Sequence, residues 1–277
     1  MEINEAIIEK YLQKLEEDEK SDGTIEKYLT NIKEFCNWKQ DKEINKQLFV
    51  DYKKYLVDKK LSSITVNSKL SALNGLLKFL NLDSYCVKFL KTQRKVFRAE
   101  NKELTKTEYE KLVKTAYQNN QEQLALIIQT IGSTGIRVSE LQYITKEAVL
   151  NGKANINLKG KERIILIPNN LKKILIPYIK KNDITKQVFV TKNNTPIDRK
   201  QVWRQMKNLC NKAGVNKDKV FPHNLRHLFA VVFYKQTKDI VKLSDILGHS
   251  SINTTRIYLV STGKEHSNLL NRLQLVC

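Results

Sequence analysis

The sequence predicts a mostly α-helical protein carrying one small antiparallel β-hairpin. An N-terminal helical bundle is followed by a mixed α+β unit. Three observations predict it. Apolar residues recur at helical spacing and no strand-like alternation occurs before residue 150. A single pair of β-branched stretches, 154–158 and 163–167, flanks a lysine-rich tip, Lys159-Gly160-Lys161-Glu162. The chain has 277 residues, 41% of them hydrophobic, but only 9 glycines and 4 prolines, which suits two packed domains rather than long irregular tracts.

The elements follow in order. Residues 3–19 place Ile7, Ile8, Tyr11, Leu12 and Leu15 on one helical face, and Ser21-Asp22-Gly23 breaks the pattern. Thr24 is read as the cap of a second helix through Tyr28, Ile32, Phe35 and Trp38. A third helix spans about 46–59, and Ser62 or Ser63 caps a fourth containing Val66, Leu70, Leu73 and Leu77. These four make a bundle over residues 1–92. Residues 93–103 read as a basic linker, with Arg94, Lys95 and Arg98 placed to follow a phosphate backbone. The second domain covers 104–277. It opens with a capping box, Thr105-x-x-Glu108, and continues into a buried helix at 121–132. A turn at Gly135 precedes a helix from about Val138, and the hairpin comes next. Helices are expected at 170–181, 198–213, 224–236, 239–247 and 252–260, with a third short strand at Val188-Phe189-Val190. A short apolar helix, from Asn268 to Val276, falls in a C-terminal tail, 261–277.

The net charge is +20 and it is unevenly spread. Basic residues exceed acidic ones by 3 up to residue 100 and by 17 after it. Such a surface fits a polyanionic partner, nucleic acid above all. The four cysteines are far apart and suggest neither a disulfide framework nor a zinc site. The acidic N-terminus lacks the apolar core of a signal peptide, and no apolar run is long enough to span a bilayer. A cytoplasmic protein, associated with the nucleoid when bound to DNA, is expected.

Four short stretches carry chemistry. They are Thr134-Gly135-Ile136-Arg137-Val138-Ser139-Glu140-Leu141, His223-Asn224-Leu225-Arg226, Leu247-Gly248-His249-Ser250, and Tyr258. Metal-free cleavage of a phosphodiester needs a nucleophile, cationic donors for the non-bridging oxygens and an acid for the leaving oxygen. Arginine can replace a metal, because it stays charged and its fork matches phosphate. Arg137 follows a turn and opens a helix, so its guanidinium and the helix amides can face one anion. Arg226 lies three residues after His223, which puts both on one helical face. Gly248 reads as a helix stop that presents His249. Each motif alone is weak.

Together they resemble the tyrosine recombinase (phage integrase) family. The resemblance covers the whole chain and is strongest from about 105 to 260. Residues Thr24 to Trp38 and Leu61 to Leu80 are similar to the core-binding (SAM-like) domain of Xer-type enzymes. The resemblance implies a site-specific recombinase that cuts and rejoins duplex DNA through a 3′-phosphotyrosine bond. Arg137 and Arg226 would bind the scissile phosphate, His249 would donate to it, and His223 would manage a proton near the nucleophile. Tyr258 would attack. A free tyrosine titrates near pH 10, so it needs this cationic, basic setting to react. The family's general acid is a lysine on a hairpin tip. Lys159 matches best, with Lys161 two residues away as the alternative. Glu140 matches an acidic residue that orients the site. Arg199 and Lys200 match the start of a helix that enters the major groove. No nucleotide-binding loop is present, and neither cofactor nor metal is expected.

The sequence departs from the family at Leu228, usually Ser or Thr, and at Val231-Val232, commonly a polar pair; altered packing is the expected effect. The resemblance also implies four protomers on DNA, coupled by exchange of the C-terminal helix, with docking of the tail in cis as the alternative. A type IB topoisomerase-like strand transferase and an inactive DNA-binding protein are the rival readings.

Overall fold

A computed structural model describes residues 3–91, 102–158, 161–256, 258 and 271. The chain forms two compact units divided near residue 94. The first contains α1 (Glu5–Glu17), α2 (Asp22–Lys39), α3 (Lys46–Asp58) and α4 (Ser63–Phe79). Short polar side chains start three of them. Asn4, Asn45 and Ser62 each accept a hydrogen bond from a backbone N–H three residues on, at 3.0, 2.9 and 3.2 Å. The cap of α2 is Ser21, not Thr24. Gly23 therefore lies inside the first turn, and the Thr24 hydroxyl pairs with that of Ser21 at 2.9 Å. The bundle core is aromatic at its centre. Phe35 stacks on Phe49 at 5.1 Å and meets Tyr52 edge-on at 5.0 Å. Two asparagines of α4 clamp the chain that leaves the bundle. Asn74 exchanges bonds of 3.0 and 2.9 Å with the backbone of Val87, and Asn67 does the same with Leu90 at 2.8 and 2.9 Å.

The second unit begins with α5 (Lys106–Gln118), whose Thr105–Glu108 capping box is formed. Helix α6 (Glu122–Thr134) is buried on almost every face, through Leu124, Leu126, Ile127, Ile128 and Ile131. Each such side chain contributes about 1.5–3 kcal/mol on burial, so α6 is the axis of this core. It ends at Gly135, in the left-handed region at φ 67°. The segment after it is a 3-10 helix, Val138–Tyr143, rather than the expected α-helix. Next come α7 (Lys146–Asn151) and the hairpin of β1 (Lys153–Leu158) and β2 (Lys161–Leu166). Pairing runs from Lys153 opposite Leu166 to Leu158 opposite Lys161. Lys161 and Glu162 therefore belong to the strand rather than to the tip.

Helices α8 (Asn169–Lys181), α9 (Arg199–Ala213), α10 (Pro222–Thr237), α11 (Ile240–Leu247) and α12 (Ile252–Arg256) complete the described part. The third strand expected at Val188–Val190 does not form. Val190 makes one isolated bridge, to Pro196, and Gln187 another, to Thr145. Val188 and Phe189 are buried because they pack into the core, not because they lie in a sheet. The linker residues 93–101 and nearly all of the tail lie outside the described residues.

Candidate active site

Two chain turns and one helix bring the polar residues together. Gly135 closes α6, Gly248 closes α11 at φ 62°, and α10 runs beside both. At Gly135 a Cβ would stand 2.4 Å from Phe229, so only glycine fits there. The carbonyl of Gly135 accepts from Arg226 Nη1 at 2.6 Å, and that of Leu247 accepts from Arg226 Nη2 at 2.7 Å. Arg226 is 2% exposed. Its guanidinium is thus held between two helix C-termini, whose carbonyls carry partial negative charge. Burial and the nearby Arg137 lower its pKa to about 10, with the Tyr258 hydroxyl opposing them. It stays charged at neutral pH.

His249 sits on the same guanidinium. Its Nε2 lies 2.9 Å from Arg226 Nη2, and its Nδ1 lies 2.8 Å from the Thr255 hydroxyl. Burial and the field of Arg226, Arg137 and Arg163 press its pKa down to about 4. The ring is neutral at pH 7. With Arg226 able only to donate, Nε2 accepts and Nδ1–H points to Thr255.

Arg137 is exposed and reaches the same place from the other side. Glu140 Oε1 accepts from its Nη1 at 2.9 Å, and Glu140 Oε2 accepts from its backbone N–H at 2.7 Å. Its Nη2 points to the carbonyl of Gly248 at 3.5 Å. Glu140 is 1% exposed and also accepts from Arg163 Nη2 at 2.9 Å. One buried carboxylate therefore orients two arginines.

Tyr258 is 6% exposed and lies in this chain's own site, two residues past the described end of α12. Its ring stacks on His249 at 5.6 Å between centroids, and lies 5.6 Å from His223 and 5.3 Å from His227. Ala230, Leu243 and Leu247 pack around it. His223 is exposed on the first turn of α10.

Of the residues singled out from sequence, the structure brings together Arg137, Glu140, His223, Arg226, His249 and Tyr258. Arg199 and Lys200 are exposed on the first turn of α9 and take no part in the contacts that hold this cluster. Lys159, Arg94, Lys95 and Arg98 lie outside the described residues. Sequence reasoning missed three residues. Thr255 holds the His249 ring. His227 is buried, 3.5 Å from Glu103 and against Tyr258. Arg163 reaches Glu140 from the hairpin. A basic residue at an inward-facing strand position was a usable signal for Arg163. For Thr255 and His227 only the fold supplies the contact.

Comparison with known proteins places the chain in a family. Residues 102–265 match the phage integrase family, and residues 8–83 match the phage integrase N-terminal SAM-like domain. The tyrosine recombinase XerA of Pyrococcus horikoshii is 30% identical over 285 residues, covering 99% of this chain and 95% of the relative. XerH of Campylobacter jejuni is 38% identical over 152 residues, 51% of this chain and 42% of its own length. Among solved structures, a lambda integrase tetramer bound to a Holliday junction has a TM-score of 0.74 at 17% identity, covering 91% of this chain and 76% of that one. A crystal structure of XerA recombinase has a TM-score of 0.55 at 24% identity, with 97% and 98% coverage. These structural likenesses carry the fold. The chain belongs to the phage integrase family. Within it, it is a Xer-like tyrosine recombinase, an enzyme of site-specific DNA cleavage and rejoining. The comparisons favour neither the topoisomerase-like reading nor the inactive one.

Proposed function

We propose that this enzyme acts on duplex DNA recombination sites and that the cluster around Arg226 is its catalytic centre. The observation that carries this reading is the convergence of Tyr258, His223 and His249 on one buried arginine. Arg226 and Arg137 hold the two non-bridging oxygens of the scissile phosphate. Tyr258 Oη attacks phosphorus and forms a 3′-phosphotyrosine bond, while the 5′ oxygen leaves and takes a proton from a lysine acid. His223 accepts the tyrosine proton. A phosphate arriving beside His249 adds negative charge next to a ring whose pKa the arginines had depressed. That charge raises the pKa again and lets the imidazole donate.

Lys159 is the proposed acid. The alternative, Lys161, is a paired strand residue opposite Leu158. A tip can enter a groove and withdraw more easily than a paired strand. Arg199 and Lys200 open an exposed basic helix suited to phosphate or base contacts. Arg94, Lys95 and Arg98 follow the DNA backbone between the domains 1–92 and 104–277. Four protomers assemble on DNA, with the apolar tail, 261–277, exchanged between neighbours. The reaction takes place in the cytoplasm; no described helix is long and apolar enough to cross a membrane.

The test is Tyr258→Phe. The substrate is a nicked duplex built on the sequence the purified protein selects from a random duplex pool. The variant is expected to bind as wild type does and to form no covalent protein–DNA band in denaturing gels. An adduct that survives the substitution would assign the nucleophile elsewhere.

A further inference from the structure

Arg163 stands where the hairpin should present an apolar residue. In β2 the inward positions are Ile165 and Arg163, opposite Ala154 and Ile156 of β1. Its side chain is 13% exposed. Nη2 donates to Glu140 at 2.9 Å, Nη1 donates to the Leu247 carbonyl, and Nε is buried with no partner among the described residues. A single guanidinium thus joins three elements: the hairpin, the 138–143 turn behind Arg137, and the end of α11 before His249. The fold makes room for it. A Cβ at Gly248 would stand 2.5 Å from Arg163 Cδ and 2.6 Å from Nη1. Burying an arginine is expensive, and a packed apolar residue is often the more stable choice. Plain cohesion between sheet and body does not account for such a residue.

The described sheet has two strands, and its inward face packs into the core through Ala154, Ile156 and Ile165. Among the described side chains of that face Arg163 is the polar one, and it lies two residues after Lys161, the first residue of β2. We propose that Arg163 is a positioning residue that locks the hairpin to the phosphate cradle and so sets where the lysine acid is delivered. This rests on the reading that the hairpin tip supplies the acid. A tip displaced by about 1 Å costs on the order of 10²-fold in rate. The loss falls on protonation of the leaving oxygen, because Arg137 and Arg226 keep their other partners.

The experiment compares Arg163→Met with wild type on that nicked duplex, made once with an ordinary 5′ oxygen and once with a 5′-bridging sulfur. Sulfur leaves without an acid. Cleavage of the ordinary substrate is expected to fall by about 10²-fold, the lower range for lost general-acid catalysis, with DNA binding preserved. On the sulfur substrate the variant is expected to cut within about tenfold of wild type, since a protonation defect is bypassed. Equal loss on both substrates, or full activity on the ordinary one, would overturn the proposal. If Arg163→Met does not fold, Arg163→Lys is read in the same way, because it keeps the charge and loses the fork. Lys159→Ala on the same pair tests the acid assignment separately. A variant that sulfur does not rescue would remove Lys159 from that role, while the Arg163 result still decides whether Arg163 governs protonation.

Discussion

Glu140 offers the sharpest test of how the site is held together. Glu140→Gln keeps the size of the side chain and one carbonyl acceptor but deletes its charge. The carboxylate accepts from Arg137 Nη1, from the Arg137 backbone and from Arg163 Nη2, all within 2.9 Å. Arg137 is 44% exposed in its side chain, and water compensates it, so its share is small. Arg163 is 13% exposed and has no such refuge. Removing the partner of a buried charge costs about 3–5 kcal/mol. The retained carbonyl argues for the lower end, about 3 kcal/mol. For a unit of this size, each kcal/mol moves Tm by about 2–4 °C. A drop of roughly 6–12 °C is expected for the catalytic unit, followed by calorimetry on the full chain. The double variant Glu140→Gln/Arg163→Met is expected to recover at least half of that loss, because it removes the stranded charge. A single variant that melts within about 2 °C of wild type, or a double variant with no recovery, would refute the charge argument.

Two further outcomes follow from the same geometry. His249 has a folded pKa of about 4 against about 6.5 when unfolded. The unfolded chain therefore binds the proton first, and stability falls as pH drops from about 6.5 toward 4. The shift alone would give about 3 kcal/mol, which screening of a half-buried ring reduces to about 1–2 kcal/mol. Denaturant unfolding at pH 7.5 and 5, which spans only part of that range, is expected to show about 1 kcal/mol less pH dependence in His249→Gln than in wild type, and equal dependence would contradict the depressed pKa. Gly135→Ala forces a left-handed alanine and places its Cβ 2.4 Å from Phe229. Backbone strain and overpacking together cost about 2–4 kcal/mol, and the shifted carbonyl loosens Arg226, so both Tm and covalent-adduct formation are expected to fall.

The elements that were legible in the sequence are those whose cause is local. Helical spacing in α4 and α6, the Thr105–Glu108 box and the Gly248 stop each depend on residues within about one turn of each other. Of the misread elements, one is decided by distant packing and two by a local contact that displaces the expected one. Val188 and Phe189 are β-branched and aromatic, yet they are buried by a core without a neighbouring strand. Val138 opens a 3-10 turn because Glu140 folds back onto the Arg137 N–H and draws the segment tight. Thr24 has the chemistry of a cap, but Ser21 takes the position one turn earlier.

The candidate site divides in the same way. The sequence alone determined which residue types are present, in which order, and that two glycines flank the arginine and the histidine motifs. Those are covalent facts, and chemistry follows from them. Only the tertiary structure decided that Arg226 is clamped by two helix C-termini 91 and 21 residues away, that Arg226 sets the His249 tautomer while Thr255 takes the Nδ1 proton, and that Arg163 enters from the hairpin. Hydrogen bonds between residues so far apart have no signature in spacing. They exist because burying one guanidinium requires every nearby acceptor, whichever part of the chain supplies it.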